Sequence, residues 1–342
     1  MLVVAGIGWH MVGAAAAASF YAPIEKVRKW SWETTWAVAG IFSWILLPIV
    51  VSLILLPNFF DFYSGIAHGV LLKAFLFGCM WGIGNVGYGL TMRYLGMSLG
   101  IGVAIGVTLV VGTIIPPLAH GVFLALMATR SGGYTLGGIA LALIGIAIVS
   151  WAGHLKEQRL GVRVEEFNLG KGLLLAIMCG IFSSGMSFAI DAASPMAAAA
   201  IHLGVKPLYA ALPAYVIIMG GGALINFAYC FFRLGLRRDL SLRQDLSQSR
   251  ETLTKNSLMA ASGGILWYLQ FFFYAWGQAN IPVRLSFVNW MLHMSLYVLF
   301  GGLVGLALGE WKGAEGRPVR QLWAGLAVII AAANLVGLGI SS

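Results

Sequence analysis

Long apolar stretches separated by short polar connections make up most of this chain. A helix needs about 20 mostly apolar residues to cross the hydrocarbon core of a bilayer. Ten stretches meet that requirement: residues 2–22, 34–56, 74–92, 97–118, 134–153, 172–190, 207–232, 257–278, 285–308 and 321–340. The longest connections, 154–171 and 233–255, are too short to form a domain. The expected fold class is all-α integral membrane, with ten transmembrane helices and no soluble catalytic module. The first stretch lacks a positive leading region and runs directly into Lys26, Arg28 and Lys29, so it is expected to be a retained first helix, not a signal peptide.

The polar connections carry an orientation signal. Of the 21 Lys and Arg, 17 fall in connections that follow odd-numbered stretches, and four (Lys73, Arg130, Lys206 and Arg284) fall on the other side. The positive-inside rule then places the basic side in the cytoplasm and both termini outside. The connection 154–171 divides the stretches five and five, so the second half starts on the opposite side from the first. That is the arithmetic of a 5+5 inverted repeat, common among secondary transporters. The expected organisation is a first repeat at 1–153, a cytoplasmic connection at 154–171 and a second repeat at 172–342. Short echoes accompany it: His-Met-Val-Gly at 10–13 against Ile-Met-Cys-Gly at 177–180, and Met80-Trp81 before Tyr88 against Leu266-Trp267 before Tyr274.

Composition narrows the class further. Hydrophobic residues are 60% of the 342 and charged residues 10%, with mean hydropathy +0.88; an average soluble domain is about 25% charged. So few charges could not cover a soluble surface, and so many apolar residues are the opposite of a disordered composition. The net charge of +9 reads as loop asymmetry, not as a nucleic-acid surface. Cys79, Cys179 and Cys230 lie in apolar stretches without metal or disulfide spacing, and the six histidines show no ligand spacing. Gly220-Gly221-Gly222 lacks the Lys and Ser/Thr of a phosphate loop, and neither an H-E-x-x-H pair nor a Gly-x-Ser-x-Gly elbow occurs. An ATP-driven pump, a membrane hydrolase, a metal site and a cofactor are therefore not indicated. The 45 glycines are expected chiefly to let helices pack closely, and in part to bend helices around a cavity.

The ionisable residues bear on the substrate. None of the twelve Asp and Glu falls in the middle of a stretch; only Glu33 and Asp191 sit at edges within reach of a cavity, and Arg93 and Arg284 lie at ends. Charged substrates usually require intramembrane charge, so a neutral solute is expected. Neutral polar residues interleave with aromatics instead. Trp81, Asn85 and Tyr88 share one helix face, as do Trp267, Gln270 and Tyr274, and Asn289, His293 and Tyr297. Aromatic faces stack on the C–H face of a sugar, and amides both donate to and accept from hydroxyls. The same residues would also suit interface belts or helix–helix bridges. For proton coupling the candidates are His10, His293 and Glu33, since imidazole titrates near neutrality. Glu33 has a plainer use as a first-turn carboxylate on the helix dipole, and Asp191 is the weakest candidate. A carrier of another neutral metabolite and a membrane sensor that binds sugar without moving it both fit these features.

Several longer strings carry a resemblance. Phe-Tyr-Ala-Pro at 20–23, Lys-Trp-Ser-Trp-Glu-Thr at 29–34, Leu-Thr-Met-Arg-Tyr-Leu-Gly-Met-Ser at 90–98, Glu-Glu-Phe-Asn-Leu at 165–169, Tyr-Leu-Gln-Phe-Phe-Phe-Tyr-Ala-Trp-Gly at 268–277 and Trp-Met-Leu-His-Met-Ser at 290–295 resemble the L-rhamnose–proton symporter family of the drug/metabolite transporter superfamily. The resemblance spans nearly the whole chain. It implies a ten-helix inverted-repeat carrier in a bacterial inner membrane, with periplasmic termini. Its cargo would be L-rhamnose, with L-lyxose as a second candidate sugar, moved together with a proton. It further implies that the first four helices of each half line the cavity and that the fifth and tenth lie outside it. His10, Glu33, Asn85, Tyr88, Gln270, Tyr274 and His293 lie in strings matching the family, whereas Asp191 departs from it. The implied partners are sugar, proton and lipid bilayer, with no obligate protein partner.

Overall fold

The computed structural model describes residues 2–162, 166–236 and 242–341. Among these residues the chain is helical throughout, and ten spans are long and apolar enough to cross a membrane. In order they are Val3–Ile24, Trp32–Leu55, His68–Leu95, Met97–Ala119, Arg130–Arg159, Leu169–His202, Pro207–Leu236, Arg250–Ala279, Val288–Ala307 and Arg317–Ile340, called spans one to ten below. Most run past the expected apolar limits, because polar residues at helix ends sit at the membrane surface without ending the helix. Side-chain caps fix several starts: Ser31, Thr129, Asn168 and Ser249 accept from the backbone N–H groups of Thr34, Gly132, Lys171 and Thr252. Gly96 at φ 81° turns span three into span four in a single residue.

Two spans are irregular. Span two contains a π-helical turn, Ile41–Leu46, which carries Trp44; such turns recur at functional positions. Span six is broken into Leu169–Ser183, Gly185–Ala192 and Ser194–His202. Asp191 was expected at the outer end of this span, but the helix restarts at Ser194-Pro195 and continues through a run of alanines to His202. Asp191 therefore lies inside span six, beside a helix break, with its side chain 35% exposed and its Oδ2 2.9 Å from His120 Nε2.

The spans pair in a regular way. Span one packs on eight and nine, span two on eight and seven, and span three on six and seven. Span four packs on six and five, and nine on ten. Spans five and ten pack on each other, as do four and nine. Backbones approach closely where glycines face one another: a Cβ on Gly78 would strike the Ile218 carbonyl, and one on Gly221 the Phe75 carbonyl. Close approach of this kind compensates for the missing hydrophobic drive between helices in lipid. The outward surface is apolar, with Ile54, Phe60 and Leu124 among its exposed side chains.

The face carrying the basic connections is closed by polar ties. Glu157 accepts from Ser98 N at 2.9 Å and from Ser98 Oγ at 2.7 Å, capping span four from span five. Asn256 donates to Arg28 O at 2.7 Å and accepts from Arg28 N at 3.1 Å. Asp245, on the short helix Leu242–Leu246, accepts from Ser31 Oγ at 2.6 Å and from Thr34 Oγ1.

Candidate substrate and proton site

Five aromatic side chains form a closed ring between spans two, three and eight. Centroid separations are 5.5 Å for Trp36–Trp44, 6.5 Å for Trp44–Trp81, 6.1 Å for Trp81–Phe271, 6.3 Å for Phe271–Trp267 and 6.4 Å for Trp267–Trp36. All but one of these contacts are edge-on at 70° or more, the exception being Trp267–Trp36 at 62°; edge-to-face packing is the favoured arrangement of aromatic pairs. The cavity beside Trp36, Trp44 and Trp267 measures about 10 Å³, room for a single water. A sugar ring would enter only by opening these side chains. The Nε1 atoms of Trp44 and Trp267 are buried without a protein partner, whereas Trp36 Nε1 donates to Asn226 at 3.1 Å.

Farther along span eight, toward the face opposite the basic one, lies a second cluster. Trp267 to Tyr274 is seven residues, about 10 Å along a helix axis. Here His10, Tyr274 and His293 form a triangle with centroid separations of 5.0, 5.2 and 5.9 Å. His10 and His293 are 0% exposed, and Tyr274 3%. His10 Nε2 lies 2.8 Å from Asn289 Oδ1, and Asn289 Nδ2 donates to Ser286 O at 2.8 Å. His10 Nδ1, both ring nitrogens of His293 and Gln270 Nε2 are buried without protein partners. Each such atom costs about 1–3 kcal/mol if left unpaired, so the chain gains nothing in stability by keeping them. Their chemistry suits hydroxyl or proton ligands.

Most of the expected site residues occupy this band, in an uneven way. Trp81 and Trp267, from the two halves, meet through Phe271. Gln270 precedes Phe271 of the ring on span eight, and Tyr274 is the third member of the histidine triangle. Asn85 is half-buried with Nδ2 unpartnered, and half-buried Tyr88 lies beside Ser183 and Thr108. Trp290 bridges the two sides, its ring 6.2 Å from Tyr274 and its Nε1 donating to Thr108 O at 3.0 Å. Asn289 is bonded to His10. Glu33 is not with the histidines: it opens span two at the basic face, 8% exposed, and accepts from Arg233 Nε at 3.2 Å. The sequence reading missed Trp36, Trp44, Phe271, Arg233 and Asp245. Trp36 and Trp44 do share a face with Glu33, a periodicity that could have flagged them.

A ten-span helical bundle that buries neutral polar and aromatic residues at mid-depth defines a membrane carrier of the secondary-transporter kind. The family model of the L-rhamnose-proton symport protein (RhaT) matches residues 1–342. The chain is 60% identical over 337 residues to the L-rhamnose-proton symporters of Escherichia coli (strain 55989 / EAEC) and Shigella boydii serotype 18 (strain CDC 3083-94 / BS512), covering 98% of each chain in both cases. It is 59% identical over 337 residues to that of Shigella dysenteriae serotype 1 (strain Sd197), again covering 98% of each chain. The chain therefore belongs to the L-rhamnose–proton symporter family, a family of transporters and not of enzymes.

Proposed function

We propose that this protein imports L-rhamnose with a proton across a bacterial inner membrane by alternating access, with both termini periplasmic. The single observation that carries the site assignment is the closed aromatic ring beside partnerless buried polar atoms. The sugar stacks on Trp81 or Trp267, with Trp44 and Phe271 completing the wall. Asn85, Gln270, Tyr88 and Tyr274 supply hydrogen bonds to its hydroxyls. His10 and His293 take up the proton. The pairing of spans supports an inverted repeat, since exchanging each span with the one five places away turns one–eight into six–three, two–eight into seven–three, one–nine into six–four and nine–ten into four–five. Five and ten pack on each other at the rim of that arrangement. The 17-to-4 distribution of basic residues supports the orientation.

The coupling free energy equals the difference in sugar affinity between protonated and unprotonated carrier. Glu33 has a lesser claim to the proton, being paired with Arg233 on another span. The test is uptake of labelled L-rhamnose into proteoliposomes under an imposed inward proton gradient, with and without uncoupler, and with L-lyxose as a competitor. Uncoupler-sensitive accumulation is the expected result. Folded, inserted protein that binds the sugar without counterflow would replace the carrier with a sensor. Transport of other neutral solutes but not of rhamnose would keep the carrier and change the cargo.

A further inference from the structure

Asn289 fixes which nitrogen of His10 is available. The Asn289 amide is oriented by its own surroundings, because Nδ2 donates to Ser286 O at 2.8 Å and only an N–H can face that carbonyl. Oδ1 therefore faces His10 Nε2, 2.8 Å away. A carbonyl oxygen cannot donate, so Nε2 must carry the hydrogen. In neutral imidazole the other nitrogen, Nδ1, then holds the free lone pair, and Nδ1 is buried without a protein partner. Geometry alone thus leaves one basic atom of His10 open to a proton.

Building on the symport reading above, we propose that Asn289 is a positioning residue that holds His10 in its Nε2–H tautomer, making Nδ1 the atom that receives the transported proton. A proton from the outer solution adds to the Nδ1 lone pair and gives an imidazolium with two N–H groups. Nε2–H stays on Asn289 throughout, and release of the same proton on the other side restores the starting tautomer. The groups facing His10 are few. Span eight presents Tyr274 and span nine presents His293. Span one carries no other titratable residue between Val3 and Ser19, and span ten carries none beyond Arg320. Asp191 on span six is paired with His120 at 2.9 Å. Asn289 then belongs to the proton half of the site and not to the sugar half.

The experiment uses full-length protein in two measurements. In proteoliposomes, the pH profile of gradient-driven rhamnose accumulation is compared for wild type, Asn289→Leu and Asn289→Asp, with sugar counterflow at zero gradient as a control. Asn289→Leu is expected to move the profile acid by at least about one pH unit, a tenfold change in proton affinity. Asn289→Asp, whose carboxylate holds an imidazolium better, is expected to move it alkaline. Profiles that stay in place in both variants, or loss of counterflow with no shift, overturn the proposal. Failure of wild type to accumulate rhamnose would instead overturn the symport reading. The second measurement needs no variant at Asn289: nitrogen-15 NMR of histidine-labelled protein, with the His10 signal assigned by its loss in His10→Gln. The Nε2–H tautomer at neutral pH is expected, and an Nδ1–H tautomer refutes the proposal even if the Asn289 variants do not fold.

Discussion

Gly277 lies against the face of the His10 ring, so a single methyl group there tests whether the ring's position matters. A Cβ at residue 277 would sit 2.7 Å from both Cδ2 and Nε2 of His10 and 2.9 Å from Cε1. Ordinary contact begins near 3.4 Å, so in Gly277→Ala the ring must retreat by about 0.7 Å. Its Nε2 is 2.8 Å from Asn289 Oδ1, and a retreat of that size along the ring normal bends this in-plane bond and weakens it. The overpacking costs about 1–3 kcal/mol of stability. The whole hydrogen bond contributes about 1 kcal/mol, so bending it costs the preferred tautomer up to about fivefold. The assay is rhamnose accumulation under a fixed proton gradient, measured beside counterflow and thermal unfolding in detergent. The expected outcome is accumulation reduced by up to about fivefold with counterflow largely retained. The control is the double variant His10→Ala/Gly277→Ala: with no ring to strike, the methyl adds little to the loss already caused by His10→Ala. Wild-type accumulation and pH profile in Gly277→Ala, or full additivity in the double variant, would refute the reasoning.

Trp267→Ala should raise the half-saturating rhamnose concentration at least tenfold, since base or sugar stacking on an aromatic face is worth about 1–3 kcal/mol, while Trp267→Phe should keep most of the affinity; equal loss in both would place the indole N–H, not the ring face, in contact with sugar. Gly221→Val should lower the yield of folded protein in size-exclusion chromatography, because its first added carbon already meets the Phe75 carbonyl and Cys79 N of span three, an overpacking of about 1–3 kcal/mol or more. Glu33→Gln and Arg233→Gln should alter transport alike and the double variant no more than either one, as expected of one ion pair at 3.2 Å; loss of accumulation in Glu33→Gln alone, with counterflow intact, would return Glu33 to proton coupling.

Hydropathy made the ten spans legible because lipid tolerates few other chain conformations: every backbone polar group must be satisfied within the segment. The same logic could not show where helices break inside the membrane. Ser184 and the π-helical turn at Ile41–Leu46 carry no proline or charge at the break itself, and the apolar surroundings of all three irregularities, Ala193 with its Pro195 included, hide them in any hydropathy average. Span six was ended at residue 190, short of His202, for that reason. Of the site, Trp81, Trp267, Gln270, Tyr274, His10 and His293 were visible as polar or aromatic residues on shared helix faces. The aromatic ring was not visible, because its closure needs Trp36, Trp44 and Phe271, which join only when spans two and eight pack. Arg233 and Asp245 counted in the sequence only as loop charges; their partners Glu33, Ser31 and Thr34 lie about 200 residues away.

These partners separate two tasks that the sequence had merged. Glu33 and Trp36 stand three residues apart on span two, and Arg233 and Asn226 seven apart on span seven. Glu33 meets Arg233, and Trp36 Nε1 meets Asn226 Oδ1, so the two antiparallel spans are tied at two levels below the basic face. The deeper tie ends on a member of the aromatic ring. In the proposed alternating-access cycle, opening the basic face would part span two from span seven and break both ties. A sugar wedged among Trp36, Trp44 and Trp267 works in the same direction from inside, because the ring has room for only about one water when closed. Release toward the basic side would then be linked to sugar occupancy through span two. Proton occupancy, in that proposal, would act through span eight, which carries Trp267 and Phe271 in the ring and Tyr274 against both histidines. In the proposed cycle each ligand biases the packing of span eight, and by linkage the help one gives the other must be returned in equal measure.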